Sequence, residues 1–276
     1  MSELFPDKYE NYRVDRAKNF SQAYKVLTEE YPGINLLFII GSICILFASV
    51  NEIIFQTKYA VQPIYHTAEQ SIDAHKEPVQ TEPSSKQPFV FTAENNEKYT
   101  VIPMADYDIS AMVVAKNTNV WLRGLMNSSF DNIALIDFGL LGGELADAEA
   151  LKHVRFRSKK ILNSARELRP MPAYGRSWRD VDSYLQSRGL SFDYFGSHMS
   201  HIHVIPANDN VMSALMKLKK KDLVRFEGYL VDLEYGNGSR SRTSLSRNDT
   251  NPTSRGNGAC EVMYVKSVQL KNRIYE

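Results

Sequence analysis

A chain of 276 residues with a formal net charge of +1 has room for one globular domain and some linker beside a spanning segment. Its two cysteines, Cys44 and Cys260, exclude a disulfide framework or a multi-cysteine zinc site within one chain. The charge is uneven: residues 1–97 hold 8 basic and 13 acidic side chains, and residues 98–276 hold 25 and 19, so a basic C-terminal part follows an acidic stem.

Residues 1–32 open polar, and from Asn19 the residues Phe20, Tyr24, Leu27 and Tyr31 share one face of an expected juxtamembrane helix. Residues 33–55, GINLLFIIGSICILFASVNEIIF, carry no charge from Ile34 to Val50. As a helix they reach roughly 35 Å, enough to cross a hydrocarbon core of about 30 Å. The run begins too late for an ordinary cleaved signal peptide, and the expectation is an uncleaved signal anchor. Arg13, Arg16, Lys18 and Lys25 precede it and only Lys58 follows closely, which favours a cytoplasmic N-terminus and a C-terminal domain in the periplasm of a bacterial inner membrane. Gly41 with Ala48, and Ser42 with Ser49, place small residues on one face where two such helices could self-associate.

Residues 56–97 are rich in Glu, Gln, Pro, Ser and Lys and read as a flexible tether. In the domain, residues 98–276, strands are expected at 107–116, 130–138, 200–205, 223–233 and 262–270. Ser177–Ser187 reads as a helix, and so does the stretch after Asn208, which suits an N-cap. Lys217 and Lys219–Lys221 then complement that helix's dipole. The expected fold is α+β: a small antiparallel, OB-like barrel sheet with one or two helices, in which Gly228 marks a bend.

The segments HIHVIPAN (201–208), KKDLVRFEGYLVDLE (220–234), RTSLSRNDT (242–250) and GNGACEVMYVKSVQL (256–270) carry a resemblance over the last third of the chain. They resemble an uncharacterised family of bacterial, often membrane-anchored proteins. NPTSR at 251–255 departs from that pattern by lengthening the loop. The resemblance implies a shared fold and no particular activity.

Several groups bear on chemistry. His201 and His203 project to one face of a strand about 7 Å apart, a spacing two metal ligands can use. The alternative is a pair of histidines on a polar sheet face. The same segment approaches the His-x-His-x-His signature of histidine-triad nucleotide hydrolases, but Met199 occupies the first histidine position and His198 is out of register. Cys260 could act as a nucleophile with His201 or His203 as base, or simply be a small buried residue. Arg240, Arg242, Arg247 and Arg255, with Asp249 and Glu261 nearby, could form an anion-binding surface together with the basic 152–179 region. Nucleic acid is disfavoured as a partner by the few interleaved aromatics and by a periplasmic location.

The reading expected from these features is a single-pass membrane protein whose domain is a non-catalytic binding or assembly module with a basic contact surface. Its partners would be an envelope protein or an anionic ligand, and no cofactor is implied. The competing readings are an anchored hydrolase using His198–His203 with a metal or Cys260, and a cytoplasm-facing nucleic-acid binder.

Overall fold

The structure, a computed structural model, describes residues 22, 33–93, 95–118, 129–160, 166–246 and 260–276. It divides into two units, Met1–Val50 and Asn51–Glu276. Apart from Gln22, the segment 1–32 with its expected juxtamembrane helix lies outside the described residues. Helix α1 (Gly33–Lys58) is 26 residues long, and its Leu37–Lys58 portion is long and apolar enough to cross a membrane. The hydroxyls of Ser49 and Thr57 donate to the carbonyls of Ile45 and Ile53 four residues back, so each is satisfied within the helix itself.

The stretch expected as a loose tether carries three short strands, β1 (His66–Thr67), β2 (Val79–Thr81) and β3 (Phe89–Thr92). β1 pairs with the last strand of the chain, Arg273–Tyr275, and the cause of the other two lies in β4 (Lys98–Thr118), which is 21 residues long and far exceeds the expected 107–116. One edge of β4 meets its later partner only from Met112 onward, and β3 and β2 cover the exposed edge between Lys98 and Asp108. Composition alone read these residues as unable to fold, but an open sheet edge offers them backbone hydrogen bonds.

Residues 130–138, expected as one strand, divide into helix α2 (Ser129–Ile133) and strand β5 (Ile136–Leu141). Next come β6 (Val154–Lys160) and β7 (Arg166–Pro172), an antiparallel pair that carries much of the basic region. Helix α3 (Trp178–Ser187) is opened by a capping box between Ser177 and Asp180, and α4 (Phe192–Ser197) by Ser191. Strand β8 (Met199–Pro206) is buried along its whole length. Helix α5 (Asp209–Lys217) is capped by Asn208, whose side chain accepts from the Val211 amide at 2.9 Å. At its other end the Lys116 ammonium donates to the carbonyls of Leu215, Met216 and Leu218. The chain closes with β9 (Leu223–Tyr235), β10 (Arg240–Ser241), β11 (Glu261–Leu270) and β12 (Arg273–Tyr275).

Five strands form a ring. β4 pairs with β5, β5 with β8, β8 with β11, β11 with β9, and β9 returns to β4. The β8–β11 pair is parallel and the other four are antiparallel. Helix α5 lies between the third and fourth ring strands in chain order. Ile109, Phe138, Ile202, Phe226, Leu230 and Met263 pack into one buried cluster, which Val211 and Leu215 of α5 join. Where β9 passes β11, Gly228 is required: a Cβ there would sit 2.0 Å from the Tyr264 carbonyl oxygen.

Candidate metal centre

Side chains alternate along a strand, and directly paired residues share a face. On β8, Ile202 and Val204 enter the apolar cluster, which turns His201 and His203 to the opposite face. The register then decides their neighbours. Asp137 of β5 is paired with His203, and Gly139, which has no side chain, is paired with His201. On the other side Val262 of β11 is paired with His203, and the chain just before it delivers Cys260 to the same face.

The result is a compact polar cluster. His201 and His203 are 3% and 5% exposed and Asp137 is fully buried. His203 Nδ1 lies 2.7 Å from Asp137 Oδ1, and His201 Nδ1 lies 2.9 Å from the Cys260 sulfur. The two imidazole centroids are 4.5 Å apart, and one donor atom from each of His201, His203 and Cys260 falls within 4.8 Å of the others. A carboxylate only accepts, so Asp137 places the His203 proton on Nδ1 and leaves the Nε2 lone pair for another partner. Burial, and then the neighbouring His203, pulls the His201 pKa down to about 3, so this imidazole is neutral at neutral pH.

The surroundings brace the cluster. Phe130 of α2 stands edge-on to the His203 ring at 4.9 Å. The Thr243 hydroxyl accepts from the Val262 amide at 3.0 Å, and the Ser244 amide donates to the Cys260 carbonyl at 3.1 Å. The RTSL segment thus acts as a clasp that fixes the start of β11. The Thr243 amide is itself held by the Asp232 carboxylate at 2.9 Å.

Two imidazoles and a thiol, with a carboxylate behind one imidazole, suit a tetrahedral ion of the zinc class. Such an ion has bonds of about 2.0–2.3 Å and takes nitrogen and sulfur donors. Bonds of that length set the donors around one ion roughly 3–4 Å apart, and the three donors here lie within 4.8 Å of one another. Asp137 would then orient His203 without touching the metal.

The other sequence candidates lie elsewhere or are already engaged. His198 caps the end of α4, with Nε2 at 2.6 Å from Glu77 Oε1 and Nδ1 at 2.8 Å from the Tyr194 carbonyl, and it is no part of the cluster. Its ring packs on Gly143, whose φ of +58° and close approach leave no room for a side chain. Arg240 is bound through Nε and Nη2 to Glu234 Oε2, at 2.9 and 2.6 Å. Arg242 is exposed. Glu261 is buried but pairs with Ile202 and so faces away from the histidines. Arg247, Asp249 and Arg255 lie outside the described residues.

Asp137 was the residue that sequence reasoning passed over. The signal was present in ALIDFGL, a single carboxylate inside an apolar run, because such a group is seldom buried without a partner. No family model matches the chain, nor does any curated protein or solved structure.

Proposed function

We propose that the chain is a single-pass, membrane-anchored binding module whose domain holds one soft divalent cation, of the zinc class, on His201, His203 and Cys260. The observation that carries this reading is the convergence of three nitrogen and sulfur donors on one buried face, with Asp137 bonded to one of them. The order of strand pairing, with its single parallel closure and the helix between the third and fourth ring strands, supports reading the ring as OB-like. On that reading the cluster lies on the face of the second and third strands, where OB-type domains commonly take their ligands. The positive flank before α1 supports a domain outside the cytoplasm, facing an envelope partner.

Element analysis of the full chain, purified in detergent without chelator and then equilibrated with zinc and desalted, tests the proposal. One zinc per chain is expected, lost in His203→Ala and in Cys260→Ser while the far-ultraviolet dichroism persists. A chain that retains no zinc although Cys260 is unmodified overturns it. A thiol that reacts rapidly with iodoacetamide equally with and without zinc would favour the nucleophile reading instead. Labelling Ser85→Cys in intact cells with an impermeant thiol reagent tests the orientation: labelling is expected, and protection until lysis contradicts it.

A further inference from the structure

Immediately after α1, the segment 61–65 holds apolar side chains out into solvent on a backbone fixed in place. Val61 is 67% exposed, Ile64 82% and Tyr65 42%. An exposed isoleucine in a floppy loop would mean little, but Ile64 is pinned from both sides. Its amide donates to Asn210 Oδ1 at 2.7 Å and its carbonyl accepts from Asn210 Nδ2 at 2.9 Å. The same Asn210 nitrogen also reaches the Glu276 carbonyl at 2.7 Å. Pro63 is buried between the exposed residues, and Tyr65 is braced by the Tyr275 ring at 5.8 Å. Those hydrogen bonds hold the Ile64 backbone in place.

The position of this turn points to its occupant. The last residues of the apolar helix, Asn51–Lys58, belong to the same unit as the domain, and Phe55 and Tyr59 are buried in its core. Lys58 Nζ lies 3.9 Å from Asp209 Oδ1, and the next residue, Asn210, holds Ile64. Ile64 follows the last residue of α1, Lys58, by six positions in the chain. Arg273 rests over the Tyr65 ring at 4.4 Å. Aliphatic side chains beside a tyrosine, an arginine and a lysine form the composition of a bilayer interface, with apolar groups entering it and cations at the phosphates.

We infer that Val61, Ile64 and Tyr65 form a wedge that rests in the headgroup layer of the membrane, with Arg273 directed at lipid phosphates. The inference rests on the anchoring reading of α1.

The test uses the full chain in vesicles of phosphatidylcholine and phosphatidylglycerol. Added tryptophans at Ile64→Trp and, separately, Val61→Trp are read against the native chain, whose Trp121 and Trp178 set the background. Phe47→Trp within the helix is the reference. Nitroxide on the lipid headgroup should remove most of the added emission at 64 and 61, while nitroxide deep in the acyl chains should quench position 47. Quenching at 47 with none at 64 or 61 overturns the wedge and leaves the anchor standing. Absence of quenching at 47 as well removes the anchor, and the wedge with it.

Discussion

Two regions of the molecule present concentrations of polar side chains, and they are built in opposite ways. On β10 and the end of β9, Arg240 meets Glu234 at the surface, each group still open to water. On β8 and β5, His201, His203 and Asp137 are buried with their polar atoms turned toward one another and toward Cys260. The surface pair is explained by solubility and local pairing, and removing it leaves nothing stranded. The buried group pays desolvation that a solvated pair avoids, offset by the hydrogen bonds its members make with one another. Charge density in a sequence drew attention to the first region. Burial identifies the second.

The sharpest way to break this comparison is to disturb the ring that brings the buried groups together. Gly228→Ala forces a methyl group against the Tyr264 carbonyl and should cost on the order of 3 kcal/mol, read as an earlier chemical-unfolding midpoint. Zinc binding should weaken in the same variant, since β11 carries the approach to Cys260. A midpoint unchanged from the native chain would mean that β9 and β11 do not meet as described.

Asp137→Asn separates positioning from ligation. The amide keeps the size but not the charge that orients His203, so zinc affinity should fall about 10–100-fold with all three donors in place. Chelator competition measures this, and an unchanged affinity would remove Asp137 from the site.

A smaller effect distinguishes a buried cation from a buried cluster. Burial lowers the Lys116 pKa to about 8 from an ordinary 10.5, with Asp222 opposing the shift. Between those values the unfolded chain holds the proton and the folded chain releases it, so this group adds stability as pH rises from about 8 to 10.5. Lys116→Met should lack that rise, which paired unfolding curves across the interval would reveal. Parallel curves for the two chains would contradict it. Least of all, Arg240→Glu should shift stability by no more than about 1 kcal/mol and leave zinc binding untouched. Loss of zinc there would make the surface pair part of the site.

Much of the local structure was legible in residue order. The helix from about Ser177, the cap at Asn208, the alternation of β9 and the shared face of His201 and His203 follow from short-range rules. What escaped depended on distant partners. Residues 79–81 and 89–92 are strands only because β4 leaves an edge for them, and 129–141 divides into helix and strand because β8 pairs only from Ile136 onward. The link between Asp137 and His203 is a matter of register across 66 residues, which no local pattern encodes.

The most direct test of the central claim is X-ray absorption at the zinc edge on the full chain loaded with one equivalent of zinc. The account predicts sulfur from Cys260 at about 2.3 Å and two imidazoles at about 2.0 Å, the sulfur vanishing in Cys260→Ser. A first shell of oxygen and nitrogen without sulfur in the native chain would place the metal elsewhere and contradict the account.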